Sequence, residues 1–296
     1  MNPKKHELRH RPPLDHVLAV LNLEDNGADT FTGHSLPEIS GRIYGGQVMA
    51  QSIVAAGSTL IDDGDGPRSV HSFHCYFLRP GDLNVPVELS VERLHDGRSF
   101  STRRTHALQN GTPILSMILS FQEEQEGLDH YARMPNVPTP DELRSGNDLY
   151  AQLDKDLASK MLRTGAFDFR HVESNLLAGI SPESQPRQAV WMRVNGPLPD
   201  RTGQLMHRAL LAYACDQVML EPVLRAHGLT WRTPSLKVAS LDHSMWFHRP
   251  FDMRDWLLFV QSSPSAQGGR GLGEGLIFDT EGCLVASAAQ EGMVRA

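Results

Sequence analysis

Asp216 closes a run that is otherwise apolar, Leu210-Leu211-Ala212-Tyr213-Ala214-Cys215-Asp216. A carboxylate in such company must be paired, hydrated or at work, because an unpaired buried charge is costly. A second stretch, Ser240 to Pro250, reads Ser-Leu-Asp-His-Ser-Met-Trp-Phe-His-Arg-Pro. Strict alternation points Leu241, His243, Met245 and Phe247 one way, and Ser240, Asp242, Ser244, Trp246 and His248 the other. A face with a hydroxyl, a carboxylate and an indole is either the wetted side of an edge strand or the wall of a site. His243 and His248 have the chemistry for proton transfer, though a packed, hydrogen-bonded role beside Trp246 is the plainer reading. His71 and His74 lie three apart on a strand-like run and so face opposite ways, a poor metal pair. No Gly-x-Ser-x-Gly elbow occurs. Gly268 to Gly275 is glycine-rich without dinucleotide-binding spacing, which fits a strand that another backbone or a ligand approaches closely.

These residues gain meaning from an internal repeat. Phe77-Leu78-Arg79-Pro80 is echoed by Phe247-His248-Arg249-Pro250, and Gln47-Val48-Met49 by Gln217-Val218-Met219, each 170 positions further on. Ser120-Phe121-Gln122-Glu123 is echoed by Ala288-Ala289-Gln290-Glu291 at an offset of 168. Three echoes in one order indicate a duplication, and two copies make a pseudo-symmetric pair rather than a solenoid. At 170 positions Asp216 answers to Gly46 and Ser240 to Val70, and in the echo at 168 Gln290 answers to Gln122. The carboxylate and the hydroxyl therefore occur in only one of two equivalent places.

The elements that must hold them follow from pattern. Leu14 to Leu23 reads as a short helix and Thr30 to Leu36 as a strand. Gly45-Gly46 leads into a helix over Gln47 to Ile61, whose Ala50, Val54, Ala55 and Ser58 form a small-residue face. Four strand-like runs follow: Val70–Leu78, Val85–Leu94, Ser99–Gln109 and Thr112–Phe121. Asp96-Gly97 and Asn110-Gly111 are hairpin signals between them. The second copy has candidate strands at Phe167–Arg170 and Ala189–Val194, one long helix over Gln204–His227, and a meander through Val238–His248, Trp256–Ser263, Gly271–Phe278 and Leu284–Gln290. The class is α+β, with units at 14–122 and 166–296 and a linker at 123–165. Residues 1–13 are expected to lack structure.

Composition limits what the chain can do. Its 296 residues are 40% hydrophobic and 21% charged, the make-up of a soluble globular protein. A net charge of −7, with no basic patch, excludes a nucleic-acid binder. The three cysteines Cys75, Cys215 and Cys283 have apolar neighbours and no paired spacing, as in a reducing, cytoplasmic compartment. No signal peptide is expected at the N-terminus, and Val294-Arg295-Ala296 is not a peroxisomal address. The longest apolar run, Pro113 to Phe121, is too short to span a bilayer.

Tyr44-Gly45-Gly46-Gln47, the run from Val70 to Asp82 (Val-His-Ser-Phe-His-Cys-Tyr-Phe-Leu-Arg-Pro-Gly-Asp), the run from Asp242 to Pro250, and Gln290-Glu291-Gly292 together resemble the acyl-CoA thioesterase II family. The resemblance extends from about Leu14 to Arg295. It implies a double hotdog: two long helices, each wrapped by an antiparallel sheet. It implies hydrolysis of acyl-CoA to fatty acid and CoA without a covalent acyl-enzyme, with no metal and no cofactor. It also implies a catalytic Asp216, Ser240 and Gln290. Asp216 would take the proton of a water that Ser240 and Gln290 orient. Ser240 stands where the family often has Thr, keeping the hydroxyl and losing a methyl. The resemblance further implies a homodimer or homotetramer. Two rival readings are a hotdog enoyl-thioester hydratase and a non-catalytic acyl-CoA sensor. The first wants a His beside Asp216, and the second has no need of an intact polar set.

Overall fold

Two helices lie side by side and antiparallel at the centre of the computed structural model. α2 (Gly45–Ser58) comes from the first copy and α4 (Gln204–Cys215) from the second. Gly57 lies against Leu205 and Gly46 against Tyr213, which fixes the antiparallel sense. Residues 46–53 of α2 and 207–215 of α4 are all buried, so each helix is core on every side. The structure describes residues 12–38, 41–60, 68–150, 165–176 and 184–296. The expected unstructured segment 1–13 lies almost wholly outside them. Its last residues lead into α1 (Pro13–Leu21), where a proline sits in the first turn and Leu14, Val17 and Leu21 reach the core.

The strands are β1 (Glu24–Gly27), β2 (Thr30–Gly33), β3 (Ser69–Phe77), β4 (Val87–Asp96), β5 (Phe100–Gln109), β6 (Thr112–Gln122), β7 (Phe167–His171), β8 (Arg187–Val194), β9 (Lys237–Ser240), β10 (Asp242–Phe247), β11 (Leu257–Gln267), β12 (Arg270–Phe278) and β13 (Leu284–Arg295). Among the described residues they form one 13-stranded sheet, in the order β1-β2-β4-β5-β6-β3-β10-β13-β12-β11-β8-β7, with β9 paired to β13. The order on one side of β3–β10 mirrors the order on the other. Each half is a hotdog sheet, and the two join edge to edge at this seam. Ser72 faces Trp246, His74 faces Ser244 and Tyr76 faces Asp242. His74 and Ser244 are related by the repeat and touch, Nδ1 to Oγ, at 3.0 Å. A pseudo-two-fold axis passes between them. The fold is the double hotdog of the α+β class.

Local chemistry explains the strand ends. Asn110 (φ 50°) and Gly111 (φ 72°) turn β5 into β6 with the left-handed backbone of a tight hairpin. Along β6, Leu115, Met117, Leu119 and Phe121 are buried on alternate positions, the inner face of a pleated strand.

Two expectations from sequence are corrected. The helix expected over Gln204–His227 is broken: α4 ends at Cys215, and α5 (Glu221–Ala226) begins after a turn. Pro222, in the first turn of α5, lacks the N–H that a continuous helix would need. The turn also presses on the glycine strand β12, where a Cβ on Gly273 would stand 2.2 Å from the Met219 carbonyl oxygen. By position α2 answers to this turn and α5 rather than to α4. The strict alternation read through Ser240–Pro250 also fails. β9 pairs Ser240 with Gly292, while β10 pairs Ser244 with Ala289, so the register slips by one at Leu241. Asp242, Ser244, Trp246 and His248 therefore take the outer face of the sheet. The bulge turns Ser240 inward, to the same side as His243.

The segment 123–139 carries no strand or helix and crosses the outer face of the second half. Met134 and Val137 pack against a cluster that includes Trp191, Leu258 and Phe278. Trp191 Nε1 donates to the Pro138 carbonyl at 2.9 Å, and Arg249 stacks over Tyr131 while pairing with Asp129. A short helix, α3 (Gly146–Tyr150), follows, and 151–164 of the expected linker lie outside the described residues.

Candidate active site

The end of α4 and the start of α2 meet near the pseudo-two-fold axis. Asp216 is the C-cap of α4, and its side chain reaches across the axis. Asp216 Oδ2 accepts the Gly46 N–H at 2.8 Å, although Gly46 belongs to the other copy and lies 170 positions away. A carboxylate here meets one of the unpaired N–H groups that open a helix, and the positive end of its dipole. In return Tyr44 Oη donates to the Tyr213 carbonyl at 2.7 Å, one of the last carbonyls of α4. The approach is close enough to require glycines. A Cβ on Gly46 would lie 2.7 Å from the Tyr213 oxygen, and one on Gly45 would lie 3.0 Å from Asp216 Oδ2.

The other carboxylate oxygen completes the polar set. Asp216 Oδ1 accepts from Ser240 Oγ at 3.2 Å and from Gln290 Nε2 at 3.0 Å. The same Gln290 nitrogen donates to Ser240 Oγ at 2.7 Å. The structure thus brings together all three residues that the sequence singled out, from a helix end, a bulge and a long strand. They do not share one exposure. Asp216 and Ser240 line a cavity of about 830 Å3, whereas Gln290 is 1% exposed and stands behind them. Val48, Phe77, Leu115 and Val218 make part of the cavity apolar, and Arg42 and Arg79 belong to its charged part. Glu38 and Glu221 line it too, and the combination suits a ligand with a greasy part and a polar part.

The surroundings narrow the chemistry further. Burial, and then the Asp216 charge, push the Cys75 and Cys215 thiols and the Tyr44 phenol well above their ordinary ranges. None of the three is a nucleophile at neutral pH. No histidine hydrogen-bonds to Asp216 among the described residues; the nearby His243 bonds to Gln290 Oε1 at 2.5 Å instead. Two contacts of the site are not legible in the sequence. Gly46 acts through its backbone, and its only signal was its place as the repeat partner of Asp216. His243 lies behind Gln290, a contact set by the register of β10 against β13.

Comparison with known proteins covers nearly the whole chain. A family profile described as acyl-CoA thioesterase matches residues 167–293, and one described as the acyl-CoA thioesterase N-terminal domain matches residues 34–122. Acyl-coenzyme A thioesterase 8 of Homo sapiens is 36% identical over 290 residues, covering 94% of this chain and 88% of that protein. Acyl-CoA thioesterase 2 of Haemophilus influenzae is 34% identical over 287 residues, covering 95% of this chain and 98% of that protein. The crystal structure of an acyl-CoA thioesterase II, TesB2, from Mycobacterium marinum matches with a TM-score of 0.77 at 39% identity, covering 94% of this chain and 98% of that one. A protein of Alicyclobacillus acidocaldarius with a hot dog fold has the same TM-score, 0.77, at 16% identity, which speaks for the fold alone.

Proposed function

The chain belongs to the acyl-CoA thioesterase family, and from that membership we propose that its cavity hydrolyses a fatty acyl-CoA to the free acid and CoA, with Asp216 as the base. It is a thioester hydrolase. The observation that carries the finer reading is the Asp216 carboxylate at the cavity wall, held by Gly46, Ser240 and Gln290. A water beside Asp216 gives up a proton to the carboxylate as its oxygen attacks the thioester carbonyl carbon. The tetrahedral intermediate collapses, the carbon–sulfur bond breaks, and the proton passes to the departing thiolate. Water's oxygen ends in the acid and its protons on the two products, so no covalent acyl-enzyme is needed. Ser240 orients the water and Gln290 holds the base and the hydroxyl in register, a placement that lowers the barrier without changing the chemistry. An enoyl-thioester hydratase would want a histidine on Asp216, and none of the described histidines bonds to it.

Release of free thiol from acyl-CoA is the test. Asp216→Asn keeps the shape of the side chain and removes the base, so kcat should fall by about 10²–10⁴-fold while acyl-CoA binding persists. Full activity in that variant would overturn Asp216 as the base. A cytoplasmic homodimer or homotetramer acting on acyl-CoA completes the proposal, and sedimentation of the purified chain tests the assembly.

A further inference from the structure

We propose that His243 is a positioning residue for this reaction: it fixes which way the Gln290 amide faces, and through that amide the placement of Asp216 and Ser240. The inference rests on the reading of Asp216 as the base. An amide has a donor end and an acceptor end that fill the same space, so something must choose between them. Gln290 Nε2 donates to Asp216 Oδ1 at 3.0 Å and to Ser240 Oγ at 2.7 Å. Turned over, the amide would set its oxygen against the carboxylate, acceptor to acceptor. A donor at the far end excludes that form, and His243 Nδ1 lies 2.5 Å from Gln290 Oε1.

The surroundings of His243 select the tautomer that donates there. The ring is 0% exposed and stacks on Phe73, with centroids 5.8 Å apart and planes 17° apart. Its Nε2 is buried and has no hydrogen-bond partner. A proton on Nε2 would be an unpaired donor out of water, and an imidazolium would add a buried charge. Burial accordingly lowers the His243 pKa. The neutral ring with its proton on Nδ1 is the form that fits. The first copy carries Phe73 at the position equivalent to His243, just as it carries Gly46 for Asp216 and Val70 for Ser240. The imidazole therefore segregates with the polar set, as a purely packing residue would have no reason to do.

Three substitutions separate positioning from packing. The amide of Asn reaches the place of Nδ1, that of Gln reaches the place of Nε2, and Leu keeps bulk without a donor. His243→Leu and His243→Gln should lower kcat by about 10- to 100-fold with KM little changed, and His243→Asn should keep most of the rate. In a Gln290→Ala background, His243→Leu should cost less than about 2-fold, because two residues acting as one unit do not add. Thermal melting identifies any variant that fails to fold, and the Asn–Gln contrast decides the matter even if Leu does. Equal losses for Asn and Gln, or an undiminished Leu effect without Gln290, would overturn the proposal. Full activity of Asp216→Asn would instead remove the reading beneath it, whatever the His243 variants do.

Discussion

The two halves of the chain share one strand order and both line the cavity, yet only the second carries the carboxylate, the hydroxyl and the amide that meet at its wall. At equivalent positions the first has Gly46, Val70, Phe73 and Arg103, and the second Asp216, Ser240, His243 and Gly273. Arg103 is wholly buried and donates to Thr59 Oγ1, the His95 carbonyl and Asp96 Oδ1, so it fills its half from within. Gly273 leaves that space open, and the turn after α4 moves into it. The first half therefore keeps a continuous helix, and the second trades helix continuity for a carboxylate at a helix break. The first half still contributes a partner for that carboxylate, the Gly46 N–H at the head of α2. In the proposed reaction one copy supplies the reactive side chains and the other the helix end that holds the carboxylate.

Replacing residues of the second half by those of the first is the most direct way to break this contrast. Asp216→Gly should have the largest effect, a loss in kcat of about 10²–10⁴-fold in thiol release. Gly273→Ala, the first atom towards the bulk of Arg103, comes next. Its methyl would meet the Met219 carbonyl oxygen, and overpacking of that kind costs about 1–3 kcal/mol, measured by urea unfolding. Ser240→Val removes one hydroxyl and should lower kcat by about 10-fold, while Ser240→Thr, which keeps it, should stay within about 3-fold of the parent. The smallest effect sharpens the contrast from the other side. Val70→Ser places a hydroxyl in the first half, where no carboxylate awaits it, and kcat should not change. A tenfold drop there would mean that the first half takes part in the reaction through its side chains.

Much of this was written in the residues. The echoes at 170 positions exposed the duplication, and alternation with turn residues gave the meanders nearly to their ends. Asp216 stood out because a carboxylate in apolar company needs a reason. What stayed hidden was what periodicity cannot carry. Apolar spacing runs straight through Asp216 to His227, so the helix read as unbroken despite Pro222. A one-residue bulge at Leu241 leaves no mark in an alternating sequence, yet it decides that Ser240 faces inward. Gly46 has no side chain to advertise a role played by its N–H. The link from His243 to Gln290 depends on register between strands far apart in the chain.

The seam between β3 and β10 has one more consequence. The pair Ser72–Trp246 maps onto the pair Asp242–Tyr76 when the repeat is applied, so the pairing is self-complementary. An unfused single copy could therefore close into a homodimer by the same backbone bonds, hiding an otherwise open strand edge. In such a dimer every substitution appears twice. A carboxylate at the place of Asp216 would face its own twin across the axis, charge against charge, where Gly46 now offers an N–H. Fusion into one polypeptide lifts that constraint. Once the copies share a chain, one can supply the N–H and the other the carboxylate that accepts it.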